Sequence, residues 1–112
     1  MDIEKIMQLY DRLIENIEQF SLDPEMQIKK LRGTAVADEI ALDFSNIGKC
    51  YAQKLLQEQW LTEKQYKMIE VIDEKLSIMS KNKQLWSEEA LLEAEEWREC
   101  RKMGKEILNT LQ

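Results

Sequence analysis

Glu95-Glu96-Trp97-Arg98-Glu99 is the densest set of potential metal ligands in the chain, with three carboxylates in five residues. At that spacing on a helix Glu95, Glu96 and Glu99 share one side, where a hard cation such as magnesium finds oxygen ligands. Magnesium is better served by oxygens converging from several elements, and this stretch offers one helix face. The rest of the chemical inventory is thin. There is no His among the 112 residues, which removes the commonest general base, the commonest metal ligand and every nucleophile arrangement that uses an imidazole. Cys50 and Cys100 are too few and too far apart in sequence to form a zinc site. Gly33, Gly48 and Gly104 stand isolated, so no glycine-rich loop cradles a phosphate.

The acidic run does match half of a known pattern. Helical nucleotide pyrophosphohydrolases gather magnesium with Glu-Glu-x-x-Glu on one helix and Glu-x-x-Asp on the next, and residues 95–99 resemble the first half. Only Glu106-Ile107-Leu108-Asn109 follows, on the same helix, with Asn in the carboxylate's place. A magnesium-dependent nucleotide hydrolase is therefore the outside alternative, and the expectation is no enzyme, no cofactor and no metal.

Twenty-two acidic against sixteen basic side chains leave a net charge of -6. That sign opposes nucleic acid and anionic membranes and favours a basic partner. Lys29, Lys30 and Arg32, the one tight basic cluster, read as charge at the end of a short helix. Apolar residues at 44% and charged residues at 34%, interspersed, describe one folded domain over residues 1–112. No apolar run approaches the roughly 20 residues that span a bilayer. The opening Met1-Asp2-Ile3-Glu4-Lys5 lacks the basic start and apolar block of a secretory signal. The chain is therefore expected in the cytoplasm, with both cysteines as free thiols.

The elements that must carry these side chains are helices, because apolar residues recur in steps of three and four and one Pro and three Gly give little punctuation. The first helix carries Ile3, Ile6, Tyr10, Leu13, Ile14, Ile17 and Phe20 and ends near Ser21. Asp23-Pro24 starts a short helix through Leu31, with Asp as cap and Pro at the first position. Gly33-Thr34 breaks or kinks the chain, although one helix running on from Pro24 is the competing reading. Ala37, Ile40, Ala41, Phe44, Ile47, Gly48, Tyr51 and Leu55 continue a stripe toward Gln59. Thr62 and Gln65 have capping-box spacing, with Leu61 and Tyr66 as the staple across the start of the third helix. That helix buries Tyr66, Ile69, Ile72, Leu76 and Met79 and ends at a polar turn over residues 80–84. Ser87 caps a fourth helix, with Trp86 and Leu91 as its staple and Leu91, Ala94, Trp97, Gly104, Leu108 and Leu111 facing inward. The expected fold is all-α, a single-domain antiparallel bundle of four main helices with a short extra helix or kink near residues 24–33.

Helical geometry places the acidic excess on particular faces. Glu4, Asp11, Glu15 and Glu18 form a ridge on the first helix, and Glu88, Glu95, Glu99 and Glu106 one on the fourth. Leu92 and Met103 interrupt the second ridge, and Leu42 lies among Asp38, Glu39, Asp43 and Asn46. Such stripes are also what any solvated helix face shows, and single exposed apolar residues are ordinary. Trp86 and Trp97 have core duties, which leaves Trp60 as the aromatic anchor. The candidate partner-binding residues are Asp38, Glu39, Leu42, Asp43, Asn46, Trp60, Glu88, Leu92, Glu95, Glu99 and Met103.

The run from Ala37 to Phe44, Met79-Ser80, and Leu85-Trp86-Ser87-Glu88-Glu89-Ala90-Leu91 leading to Glu96-Trp97-Arg98 resembles small helical immunity proteins of bacterial polymorphic-toxin and contact-dependent growth inhibition systems. The resemblance covers roughly the last two-thirds of the chain. It implies a cytoplasmic protein that binds a cognate toxin domain, often a basic nuclease, and occludes its active site or substrate surface. An acidic inhibitor suits a basic nuclease, since complementary fields speed encounter. The alternative is a self-associating structural or regulatory bundle, a homodimer joined through Leu42, Leu92 or Met103.

Overall fold

Ile6, Leu13, Ile17 and Phe20 are buried along one side of the first helix, α1 (Ile3–Ser21), as their spacing requires. The computed structural model describes residues 2–111, apart from the side chain of Ile47, so that residue's expected place in a buried stripe lies outside what is described. Asp2 caps α1 by accepting from the Glu4 amide. Ile3 does not join the stripe: it is 62% exposed, a turn before the first packed position. At the other end, Ser21 closes back on the Ile17 carbonyl at 2.7 Å. Buried Gln27 donates through Nε2 to the carbonyls of Phe20 and Gln19 in the last turn of α1, the second of which also accepts from the Leu22 amide.

Gln27 belongs to α2 (Pro24–Lys30), which starts with Pro at its first turn and ends on Lys29 and Lys30 as expected, although the Asp23 side chain makes no capping bond. The competing continuous helix is absent. Gly33 has φ 91°, a left-handed conformation that a glycine reaches without a Cβ penalty, and the Thr34 hydroxyl donates to the Leu31 carbonyl at 2.7 Å. The chain restarts as α3 (Val36–Asp43), widens into a π turn (Phe44–Gly48) and continues as α4 (Lys49–Gln57). Ile40, Phe44, Gly48 and Ala52 are all buried. Steps of four drift about 40° each around a regular α-helix. The extra residue of the π turn takes up that drift, so one side of the chain stays on the core.

Beyond a turn in which Gln59 takes positive φ, Thr62 and Gln65 form the expected capping box of α5 (Glu63–Met79). Leu61 is buried and Tyr66 packs against the core. A 3-10 turn (Lys83–Trp86) leads to Ser87, whose hydroxyl accepts from the Ala90 amide and starts α6 (Glu88–Glu93).

The fourth helix expected from Ser87 onward is interrupted. Ala94 is extended, at φ -71° and ψ 135°, and α7 (Glu95–Leu111) begins after it. Leu91 and Trp97, both fully buried, would lie about 120° apart around a straight helix, and the corner turns both toward the core. Arg101 secures the corner. It sits on the inward side of α7, buried, and donates to the Leu91 carbonyl at 3.1 Å. Burial lowers its pKa, and the fields of Asp23 and Glu25 oppose that shift.

The chain is all-α and folds as a single domain, with α1 against α7 and α4, and α5 against α7 and α4. Aromatic contacts knit the core: Phe20 and Phe44 lie with ring centres 4.6 Å apart, and Trp86 meets Trp97 edge-on at 5.3 Å. Each fully buried aliphatic or aromatic side chain contributes about 1.5–3 kcal/mol relative to exposure.

The α1–α7 crossing is tightest at Gly104. A Cβ there would fall 2.1 Å from Ser21 Oγ and 3.3 Å from Phe20 Cδ2. Gly104→Ala should therefore lose about 1–3 kcal/mol in urea denaturation in spite of its better helix propensity. In a Ser21→Gly background, which removes the closest atom, the same substitution should lose most of its cost.

Cys50 is exposed and Cys100 buried, both as free thiols. Burial raises the Cys100 pKa from its ordinary 9.0 to about 11. The folded state thus favours the neutral thiol, and the stability this contributes is whole below pH 9 and fades as the pH rises to about 11. The stability gap between wild type and Cys100→Ala, measured by urea denaturation, should narrow over that interval. A gap independent of pH would refute the assignment.

Candidate partner-binding surface

Between α3 with its π turn on one side and α5 on the other runs an open groove of about 630 Å³. Asp38, Ala41, Leu42, Ser45 and Lys49 form one wall, Asp73, Leu76, Ser77 and Ser80 the other, and Trp86 closes the end. Their placement follows from the local fold. With Val36, Ala37, Ile40 and Phe44 turned to the core, Leu42 is carried to the outside, where it is 53% exposed. Asp73 clamps the walls together, its carboxylate accepting from the Ser45 hydroxyl at 2.8 Å and from Lys49 Nζ at 3.1 Å. That hydrogen bond holds Lys49 above its ordinary pKa. Trp86 is held on two sides, by its edge-on contact with Trp97 and by its indole N–H donating to the Met79 carbonyl at 2.9 Å. The groove therefore offers an apolar side chain, a fixed indole and a carboxylate that makes no ion pair among the described residues, that of Asp38.

The arc expected around Leu42 divides. Asp38 and Leu42 line this groove. Asp43 lines a different hollow, of about 530 Å³, between α1, α2 and α3, together with Arg12, Asn16, Gln27, Lys30 and Tyr51. The Asp43 carbonyl there accepts from Asn16 Nδ2 at 3.3 Å. Glu39 is half-buried, and Asn46 is exposed on the π turn. Trp60 borders neither depression; it is 36% exposed and packs edge-on against Tyr10 at 5.7 Å.

On the C-terminal helices the expected ridge keeps Glu95, Glu99 and Glu106, all exposed on α7, and loses Glu88. The extended Ala94 puts Glu88 and Leu92 on α6 and Glu95, Glu99 and Glu106 on α7. Glu95 pairs with Arg98 at 2.8 Å, and Glu99 with Lys75 at 2.7 Å. The Lys75 hydrogen bond lowers the Glu99 pKa and raises that of Lys75. Met103, expected among the contact residues, is half-buried against the core, whereas Leu92 stays 40% exposed. On α1, Glu4, Asp11, Glu15 and Glu18 are all exposed, as expected.

Three features escape the sequence reading. Val71 and Ile78 lie outside the buried stripe of α5, at 43% and 61% exposure. Their signal was present, since residues seven apart share one helix face. Arg101 falls at stripe spacing from Trp97, where an apolar pattern passes over it. Gln27 becomes meaningful only once the end of α1 is seen to need donors.

Among the described residues no three His, Cys, Asp or Glu side chains gather as a metal site would require, and no helix is long and apolar enough to cross a membrane. Comparisons with protein-family models, with curated proteins and with solved structures find no match.

Two substitutions separate the scaffold of the groove from its surface. Trp86→Phe removes the donor to the Met79 carbonyl and should cost about 1 kcal/mol, while Leu42→Ala should change stability by less than about 0.5 kcal/mol. Chemical denaturation of both variants checks the pair.

Proposed function

We propose that this chain acts by binding a basic protein, in the role the immunity-protein resemblance implies: it seats on a toxin domain, such as a nuclease, and blocks its active site or substrate surface. The observation that carries the reading is Leu42, an exposed leucine on the rim of a groove that also holds fixed Trp86 and Asp38, which makes no ion pair among the described residues, in a chain of net charge -6. An apolar anchor beside the Asp38 carboxylate suits a partner whose contact residues are apolar and cationic. The free thiols support action in a reducing compartment. The enzyme alternative gains little from the geometry, because Glu95 and Glu99 each face a cation.

Self-association is the second reading, favoured by the exposure of Leu42 and Leu92. Light scattering separates the two, since a monomer at all workable concentrations removes self-association. Co-expression with the product of a toxin-like gene lying beside this one, followed by pulldown and a nuclease assay, tests the first. The complex should form and protect, and Leu42→Asp should weaken it at least about tenfold, or 1.4 kcal/mol. No complex and no protection with the wild-type chain would end the reading.

A further inference from the structure

The outer face of α5 carries a second contact feature that the buried stripe does not explain. Val71 and Ile78 flank an open hollow of about 450 Å³ whose lining includes Met79 and Leu85, both buried. Two turns of helix separate the exposed pair, about 10 Å along the axis. Glu74 and Glu96 line the same hollow, and neither makes a hydrogen bond or ion pair among the described residues. The one cation there, Lys75, is held by Glu99 at 2.7 Å. The hollow therefore has apolar walls and a rim on which Glu74 and Glu96 outnumber Lys75.

An isolated exposed valine or isoleucine needs no explanation. Two on one face, a concavity between them and the carboxylates of Glu74 and Glu96 around it define a complement: apolar side chains two turns apart, flanked by cations. We propose that this face of α5 docks a cationic amphipathic helix of a protein partner, with apolar residues at i, i+3 or i+4 and i+7 entering the hollow and Lys or Arg meeting Glu74 and Glu96. The opposite flank of α5 forms a wall of the Leu42 groove, so a partner on both surfaces would straddle this helix. The inference rests on the proposal of a basic partner and names a second contact surface for it.

The test uses two synthetic peptides of leucine, lysine and alanine with identical composition, one with its leucines on a single helix face and one with them dispersed. Titrated into the isotopically labelled full chain, the amphipathic peptide should shift amides around Val71, Ile78, Asn82 and Glu96, saturably and less at high salt. Val71→Ala with Ile78→Ala should weaken binding about tenfold or more while preserving the melting temperature. Glu74→Gln with Glu96→Gln should weaken it and flatten the salt dependence. Equal binding of both peptides, indifference to the apolar pair, or sedimentation showing that this face joins two copies of the chain would overturn the inference. Protection against a toxin that is lost on Leu42→Asp but kept by the Val71/Ile78 variant would leave the proposed function standing and remove this second surface.

Discussion

Leu91 and Trp97 are both fully buried on either side of the corner at Ala94, and much of the molecule follows from that corner. The turn at Ala94 releases the Leu91 carbonyl, which Arg101 takes up from the next helix. The Trp97 indole N–H donates to the Leu85 carbonyl at 2.6 Å, tying the 3-10 turn to α7. Its ring in turn supports Trp86 at the end of the α3–α5 groove. A residue with no surface of its own thus shapes the surface on which binding is proposed. A guanidinium spent on a buried neutral carbonyl is a costly fastening, tolerated because the carbonyl would otherwise be left without a donor.

Local chemistry was well legible in the sequence. The Thr62–Gln65 capping box, the Ser87 cap and Pro24 at a helix start each involve residues within a few positions of one another, so their geometry is largely fixed by spacing. The helical class was equally plain from the apolar period. The interruption at Ala94 was harder to read because Leu91, Ala94 and Trp97 recur in steps of three, a permitted helical spacing. The π turn left a trace, the buried run of Ile40, Phe44, Gly48 and Ala52, whose unbroken steps of four a regular α-helix does not keep on one side.

The candidate surface was legible in part, for related reasons. Leu42 and Asp38 read correctly as outward residues because α3 is regular where they sit. Glu88 read less well, since its face was counted along a helix that does not continue through Ala94, and Met103 lies four residues before buried Ile107, at the edge of the stripe that packs inward. Partnering is also invisible in sequence: Lys75 reaches Glu99 from another helix and quenches a charge that counting leaves free. Val71 and Ile78 illustrate the converse, because one helix can bear two apolar lines while only the more populated one marks the core.

The π turn bears on how this chain can vary in length. A π turn is a regular helix holding one residue more than its turns require. Removing a residue between Phe44 and Gly48 would turn the segment into ordinary α-helix, with Val36–Asp43 and Lys49–Gln57 still presenting their present sides inward. Removing one from α5 or α7 would rotate everything beyond it by about 100° and expose the core. Within the helices, the loss of one residue is accordingly best absorbed at the segment that carries Asn46, beside the proposed groove, so that this tolerance adjoins the surface where partner choice would be made.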